Sequence, residues 1–177
     1  MKYALIGCGR IATNHVKAVV NNGLEFVAVC DLLPEAMETL LAKHGLEKDE
    51  SIARYTDYKM MLTEHPEIEL VAIATDSGMH AEITLHCIDQ GVNVIVEKPM
   101  TMSIVDADEV IRRSREKGVK VSVCHQNRFN VAVQEMRKAL EDGRFGRISH
   151  GSINVRWNRG KQYYDQASWR GKWASDG

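Results

Sequence analysis

A glutamate and a lysine stand at the end of an apolar run, in the order Glu97-Lys98-Pro99. The preceding residues, Val92 to Val96, are β-branched except for Asn93, which predicts a strand buried on both faces. The proline ends the strand because it has no amide hydrogen for a sheet ladder and favours extended backbone just before it. Ligands bind at the carboxyl ends of strands in open α/β sheets, where a lysine can orient a hydroxyl or relay its proton. A solvated Lys-Glu surface pair is the alternative for the tripeptide alone.

A glycine-rich loop near the amino terminus has the composition of a phosphate-binding turn. Residues 7–12, GCGRIA, follow a short apolar run and fit the pattern GxGxxA. Gly7 would make the tight turn, Gly9 would let the backbone approach a pyrophosphate, and Ala12 would keep the helix close to the strand. Residues at helical spacing follow, so the phosphate would meet the N-terminus of a helix.

An acidic residue follows the second apolar run at the spacing that this loop requires. Residues 25–30 predict a strand, and Asp31 comes directly after it, 22 residues beyond Gly9. A carboxylate there accepts hydrogen bonds from ribose hydroxyls and repels a 2′-phosphate, which favours NAD over NADP. The alternative is that Asp31 caps the following helix, near whose first turn Pro34 lies.

Another buried strand, residues 69–74, ends in a small polar turn before a helix over residues 81–90. Thr75, Ser77 and the Gly78 amide are suited to the ribose and phosphates of a cofactor, with plain helix capping as the alternative. His80, at the start of the helix, could be structural. No partner residue has the spacing of a metal ligand, so no metal site is expected.

Strands and helices alternate as far as the apolar run 119–124, which predicts an α/β fold with a doubly wound parallel sheet, an NAD(P)-binding Rossmann fold, over residues 1–124. Polar residues follow that last strand, and residues 131–140 predict an amphipathic helix. Residues 148–157 then alternate in polarity, which predicts a strand with one partly buried face. Because one strand cannot form a sheet, residues 125–177 are expected to be the truncated start of a second, α+β domain.

Composition excludes several classes of protein. The chain is 44% hydrophobic and 27% charged, without an apolar run of membrane-spanning length, and no signal peptide is expected. Four well-separated cysteines suit a reducing cytoplasm. Residues 1–111 carry 8 basic and 18 acidic residues, and residues 112–177 carry 15 and 6, so the later part is suited to an anionic ligand. Nucleic acid is not expected, because no recognisable nucleic-acid-binding module contains these basic residues.

The motifs GCGRIA, VCD, ATDSGMH, EKP, HQNRF and WRGKW, in this order, resemble the Gfo/Idh/MocA oxidoreductases over essentially the whole chain. Residues 146–173 are similar to the nucleotide-sugar branch, in particular to UDP-N-acetylglucosaminuronate 3-dehydrogenases. Those enzymes oxidise a sugar 3-hydroxyl to a ketone while they reduce NAD. The resemblance also implies that residues 125–177 are the start of a substrate and oligomerisation domain, and that the full-length protein is a homo-oligomer.

The resemblance assigns roles to individual residues. It implies that Lys98 is the catalytic lysine, which binds the reacting hydroxyl or relays its proton. The remaining cofactor-binding residues that it implies are Gly7, Gly9, Arg10 and Ile11 at the pyrophosphate, Asp31 at the adenosine ribose, Thr75, Ser77 and His80 along the dinucleotide, Glu97, Trp169 and Arg170 toward the nicotinamide side, and Asn127 in the crevice.

The sequence departs from the family pattern in two places. Asp76 stands where the family usually has proline, and the chain stops before the segment that carries the family's catalytic histidine and a nearby aspartate. We therefore expect these 177 residues to bind cofactor without sustained turnover. Two other functions stay open: action on a cyclitol or simple sugar within the same family, and a non-catalytic NAD-binding module, which would not require Lys98.

Overall fold

The computed structural model describes residues 1–173 and 175. They fall into two compact units, residues 1–124, with which the described residues from Gly171 onward group, and residues 125–170. The assignment of residues 125–177 to a substrate domain stays a prediction, and residues 174, 176 and 177 of that range lie outside the described part.

One parallel sheet organises the first unit. Its strand order is β3-β2-β1-β4-β5-β6, and the strands are β1 (Lys2–Ile6), β2 (Glu25–Cys30), β3 (Ala53–Tyr55), β4 (Leu70–Ile73), β5 (Asn93–Val96) and β6 (Val121–Val123). The order reverses between β1 and β4, where the chain crosses from one half of the sheet to the other. The predicted α/β fold with a doubly wound parallel sheet is confirmed.

Helices cover both faces of this sheet. They are α1 (Ala12–Asn21), α2 (Pro34–Lys43), α3 (Tyr58–Glu64), α4 (His80–Asp89) and α5 (Ile104–Lys117). The first two pack on one face through Val16 and Leu41, both fully buried. The next two pack on the other face through Met61 and Cys87. The sheet therefore lies between two apolar layers.

The longest helix shows how local sequence sets an element's bounds. At the start of α5 the Ser103 hydroxyl accepts a hydrogen bond from the Asp106 amide at 3.1 Å. This satisfies a backbone donor that has no partner within the helix. The helix ends at Gly118, whose φ of 68° is left-handed and suits glycine.

Strand β5 corrects one detail of the prediction. Val94 and Val96 are buried against α3 and α4, whereas Ile95, which points to the opposite face, is only half-buried. The strand is therefore covered fully on one face and partly on the other. Asn93 interrupts the apolar run because its side-chain amide bridges the neighbouring strands: it donates to the Glu69 carbonyl at 2.9 Å and accepts from the Lys120 amide at 3.0 Å.

The second unit contains two helices, α6 (Val131–Glu141) and α7 (Lys161–Asp165). The predicted strand over residues 148–157 is wrong, since these residues have no regular secondary structure. Its predicted apolar face is also wrong: Ile153 and Trp157 are 91% and 71% exposed. A strand needs a neighbour for its backbone hydrogen bonds, and the described residues 125–170 contain no second strand.

Across the described residues, no helix combines the length and the apolar character that crossing a bilayer requires.

Candidate functional site

The glycine-rich loop lies between β1 and α1, against the crossover point of the sheet. Gly7 has a φ of +94°, and its amide donates to the Cys30 carbonyl at 2.8 Å. A Cβ at this position would lie 2.5 Å from the backbone carbon of Ala74, so only glycine fits. At Gly9 a Cβ would meet nothing within 4 Å, and the residue is exposed. One glycine therefore serves the fold, and the other leaves the backbone open to a ligand.

Two further predicted residues complete this loop. Arg10 is exposed, and Ile11, the N-cap residue of α1, is half-buried. The N-cap residue of helix α1 makes no side-chain hydrogen bond to the helix, and the N-terminus carries the positive end of the helix dipole. This arrangement suits an anionic group such as a pyrophosphate.

Asp31 is fixed beside the loop by two backbone amides. Its Oδ2 accepts from the Cys8 amide at 2.7 Å and its Oδ1 from the Leu33 amide at 2.9 Å. The N-cap of α2 is Leu33, so Asp31 is not the helix cap that the alternative reading required. Each carboxylate oxygen retains a lone pair for a second donor. Burial raises the pKa of the nearby Cys30 thiol to about 12, and the negative charge of Asp31 contributes to this increase.

The turn after β4 places Thr75, Ser77 and His80 close to the strand ends. Ser77 is buried, and the Thr75 hydroxyl donates to the Asp76 carbonyl at 3.1 Å. Neither Thr75 nor Ser77 caps a helix, because the N-cap positions here are Asp76 and Met79, without side-chain cap bonds. The capping alternative is therefore not what the structure contains.

His80 is 1% exposed, and its two ring nitrogens face backbone carbonyls. Nδ1 lies 2.7 Å from the Pro99 oxygen, and Nε2 lies 3.3 Å from the Thr75 oxygen. The histidine thus holds the turn after β4 against the segment after β5. The contacts of its side chain are those of a structural residue that links these two turns.

The end of β5 contains a buried acid–histidine pair that the sequence did not reveal. Glu97 Oε1 lies 3.0 Å from His15 Nε2, and the two side chains are only 13% and 10% exposed. Burial opposes ionisation of Glu97, but hydrogen bonds from His15, Cys124 and the Lys98 amide outweigh it and lower its pKa. Burial and the nearby Glu97 raise the pKa of the Cys124 thiol to about 11. Glu97 is therefore an ionised group in a largely dehydrated site.

The donor atoms of His15, Glu97 and Cys124 lie within 4.8 Å of one another. Imidazole, carboxylate and thiolate are all zinc ligands, but a thiol must lose its proton to bind zinc. Here Glu97 and His15 stand at hydrogen-bond distance, and the Cys124 thiol hydrogen-bonds to Glu97. We therefore interpret the three side chains as a hydrogen-bonded cluster.

Sequence reasoning could have found this cluster from two signals. His15 occupies an apolar position in the helical series of α1, which is unusual for a polar residue unless it has a partner. Cys124 follows β6 as Glu97 follows β5, and Val96 pairs with Val123 in the parallel register. Neighbouring strand ends bring the two side chains together once the strand order is known.

Lys98 is exposed, directly after Glu97, and its peptide bond to Pro99 is cis. Within residues 1–173 and 175 its ammonium group has no carboxylate within 4 Å. The strand end therefore presents one unpaired cation beside an anion that is already engaged with His15.

The remaining predicted residues, Asn127, Trp169 and Arg170, belong to the second unit. Asn127 is exposed in a short turn over Gln126–Phe129. The Arg170 guanidinium stacks 4.4 Å above the Tyr163 ring and 5.3 Å from the Trp169 ring. These are cation–π contacts that hold the arginine side chain against aromatic surface.

Comparison with known proteins identifies a family for the first unit and relatives for more of the chain. Residues 1–125 match the Gfo/Idh/MocA family, an oxidoreductase family with an NAD-binding Rossmann fold. The WlbA dehydrogenase of Bordetella pertussis, crystallised with NADH and UDP-GlcNAcA, superposes with a TM-score of 0.90 at 37% identity. That superposition covers 99% of this chain and 52% of WlbA.

Two sequence relatives act on other compounds. D-apiose dehydrogenase of Paraburkholderia graminis is 31% identical over 88% of this chain and 40% of its own length. The NADP-dependent scyllo-inositol 2-dehydrogenase IolW of Bacillus subtilis is 37% identical over 63% of this chain and 30% of its own length.

The chain thus spans about half the length of WlbA and less of the other two relatives. The resemblance inferred from the motifs, of which GCGRIA through EKP lie within residues 1–125, is confirmed by the family match. The chain belongs to the Gfo/Idh/MocA family of oxidoreductases, and its first 125 residues form an NAD-binding Rossmann domain.

Proposed function

We propose that the protein is an NAD-dependent dehydrogenase that oxidises the 3-hydroxyl of a UDP-linked sugar acid. The similarity to WlbA, which continues through 99% of the chain, supports this proposal. It covers more of the chain than the matches to D-apiose dehydrogenase, at 88%, and to the inositol dehydrogenase IolW, at 63%. The excess of basic residues in 112–177 suits an anionic diphosphate and carboxylate.

The residues of the first unit fit a dinucleotide. Gly9 leaves open space where a pyrophosphate would approach the backbone, and the uncapped N-terminus of α1 is favourable for its charge. Asp31 stands at the end of β2, beside the loop, with acceptor capacity for ribose hydroxyls. These residues would hold the adenosine and pyrophosphate, and the end of β5 would face the reacting part.

Bound NAD supplies the acceptor for the hydride that leaves the carbinol carbon. Lys98 would donate a hydrogen bond to the reacting hydroxyl oxygen and pass its proton onward. An ordinary lysine is already protonated at neutral pH, so this lysine needs a second group as the final base. Binding and orientation of the hydroxyl are thus the part of the reaction assigned to Lys98 itself.

Two alternatives stay open, one supported by a specific observation and the other weakened by one. D-apiose and scyllo-inositol are the compounds named for the other two relatives, which supports a simple sugar or a cyclitol as substrate. A non-catalytic NAD-binding module would leave the exposed Lys98 without a role. Both alternatives keep the same cofactor domain.

The first prediction concerns cofactor choice. We expect the chain to bind NADH more tightly than NADPH, and Asp31→Ala to weaken NADH binding roughly tenfold or more. A charge-assisted hydrogen bond is worth about 1.5–3 kcal/mol, and its loss also removes the repulsion of a 2′-phosphate. Titrations followed by calorimetry with both cofactors measure the two affinities.

Asp49→Ala is the matched control for this substitution. Asp49 also accepts a backbone hydrogen bond from the second residue after it, Ser51, but it lies on a polar connection away from the loop. Its removal should leave both affinities unchanged. Equal affinity of the unsubstituted chain for NADH and NADPH would contradict the role given to Asp31.

The second prediction separates the candidate substrates. In the complete protein with NAD bound, UDP-N-acetylglucosaminuronic acid should bind much more tightly than myo-inositol or D-apiose. Its affinity should fall roughly tenfold between low and physiological salt, because exposed ionic contacts are screened. Calorimetric titration of the three compounds at several NaCl concentrations tests this. Tight, salt-independent binding of inositol instead would favour the cyclitol function.

A further inference from the structure

The contact between His15 and Glu97 joins the two parts of the proposed cofactor site. His15 lies in the first turns of α1, the helix whose N-terminus borders the glycine-rich loop. Glu97 comes 82 residues later, directly before Lys98. The 3.0 Å contact between their side chains is nearly excluded from water, so it is not an ordinary solvated surface pair.

Glu97 is positioned by contacts on several sides. Its backbone amide donates to the Ile73 carbonyl of β4 at 3.0 Å, and its carboxylate receives hydrogen bonds from His15, Cys124 and the Lys98 amide. The carboxylate is thus held between α1 and the end of β6. In this position it also fixes the backbone that leads into Lys98.

Glu97 and Lys98 are neighbours with opposite charges, yet they do not form an ion pair. The lysine is exposed and, among residues 1–173 and 175, has no carboxylate within 4 Å of its ammonium group. His80 secures the other side of the lysine by its 2.7 Å contact with the Pro99 carbonyl. The residues before and after Lys98 are therefore each held by a buried histidine.

We propose that His15 is a positioning residue: by binding the Glu97 carboxylate, it keeps that carboxylate from pairing with Lys98 and leaves the ammonium group available to a substrate hydroxyl. The proposal rests on the proposed function, in which Lys98 contacts the substrate. Its structural part, that His15 controls the access of Glu97 to Lys98, concerns side chains of this chain alone.

The test compares two amide variants of His15. His15→Gln places a donor near the position of Nε2 and should keep the contact, whereas the shorter His15→Asn should lose it. Glu97 is then released toward Lys98. An ion pair with Glu97 would make the Lys98 amine less available to acetic anhydride. Because one exposed ion pair is weak, acetylation of Lys98 should slow only about threefold in His15→Asn. Peptide mass spectrometry gives the rate, with Lys17 and Lys59 as internal references.

A second substitution distinguishes positioning from a loss of packing. In the double variant His15→Asn with Glu97→Gln no carboxylate is present to pair with Lys98, so its acetylation rate should return to the unsubstituted value. Glu97→Gln alone should leave the rate unchanged. A threefold acceleration in Glu97→Gln would show that Glu97 already pairs with Lys98 and would overturn the proposal, even if His15→Asn failed to fold.

The pair of His65 and Glu67 is the matched control. Its Nδ1 to Oε1 distance is 3.1 Å, but it lies on a more exposed connection between α3 and β4. His65→Asn should not alter the rate at Lys98. An unchanged rate in a folded His15→Asn variant would also contradict the proposal.

Titration with NADH, carried out on every variant, separates this inference from the proposed function. Absence of NADH binding by the unsubstituted chain would contradict the proposed function, while the acetylation pattern would still decide the role of His15. In the complete protein, His15→Asn should lower kcat with little change in the KM for NAD, and His15→Gln should restore it.

Discussion

Gly7→Ala is expected to destabilise the first unit by about 3 kcal/mol or more, because a methyl group there combines a left-handed backbone with overlap of neighbouring backbone atoms. The φ of Gly7 is +94°, and the new Cβ would lie 2.5 Å from the Ala74 carbon. Strands β1 and β4 are paired, so they cannot move apart without breaking the centre of the sheet. Urea unfolding followed by circular dichroism measures the loss.

Gly9→Ala is the matched comparison, since it makes the same chemical change two residues away. Its Cβ would meet no protein atom within 4 Å, so stability should stay within about 0.5 kcal/mol of the unsubstituted chain. The methyl group would instead occupy the space that a pyrophosphate needs, and NADH affinity should fall roughly tenfold or more. A stable Gly7→Ala variant, or full NADH affinity in Gly9→Ala, would contradict the division of roles between the two glycines.

Lys98→Met is expected to reduce turnover of the complete protein roughly 100-fold or more, as for the loss of an acid–base group, while NAD affinity changes only a few-fold. Methionine keeps the apolar length of the side chain and removes its ammonium group. We expect turnover and NAD affinity to respond differently because Lys98 lies at the end of β5, away from the loop that would hold the pyrophosphate. Steady-state kinetics by NADH absorbance and calorimetric titration measure the two quantities.

Lys59→Met is the control for this substitution. Lys59 is also an exposed lysine, but its ammonium group pairs with Glu82 on the surface at 3.4 Å. Its loss should change neither turnover nor NAD affinity. A Lys98→Met variant with full turnover would remove the lysine from the reaction and favour the non-catalytic module.

The sheet could be predicted from sequence because its information is local. Most strands are apolar runs, each crossover contains a helix, and right-handed connections leave few possible strand orders. Residues such as Ser103 and Gly118, which cap α5 at its two ends, also mark their own positions. The motifs also indicated the family, which the family match confirmed.

The strand predicted over residues 148–157 failed for a different reason. Alternating polarity describes how a strand would present its two faces, but it does not supply a partner for the backbone groups. In the described part of the second unit no such partner exists, and Ile153 is left 91% exposed. Pairing is a non-local property that a single segment cannot reveal.

The cluster around Glu97 was missed because its contacts also join distant segments. His15 and Glu97 are 82 residues apart, and their contact depends on how α1 packs across the ends of β1, β4 and β5. The cofactor and catalytic assignments of Asp31, His80 and Lys98 stay predictions.

The two outermost strands of the sheet, β3 and β6, have only three residues each. An unpaired strand edge is a template on which another chain can add a strand, and its hazard grows with the length of exposed backbone. Here the long central strands, β1 and β2, are enclosed by neighbours on both sides. The order of the strands therefore limits edge-to-edge aggregation of this unit, independently of what it binds.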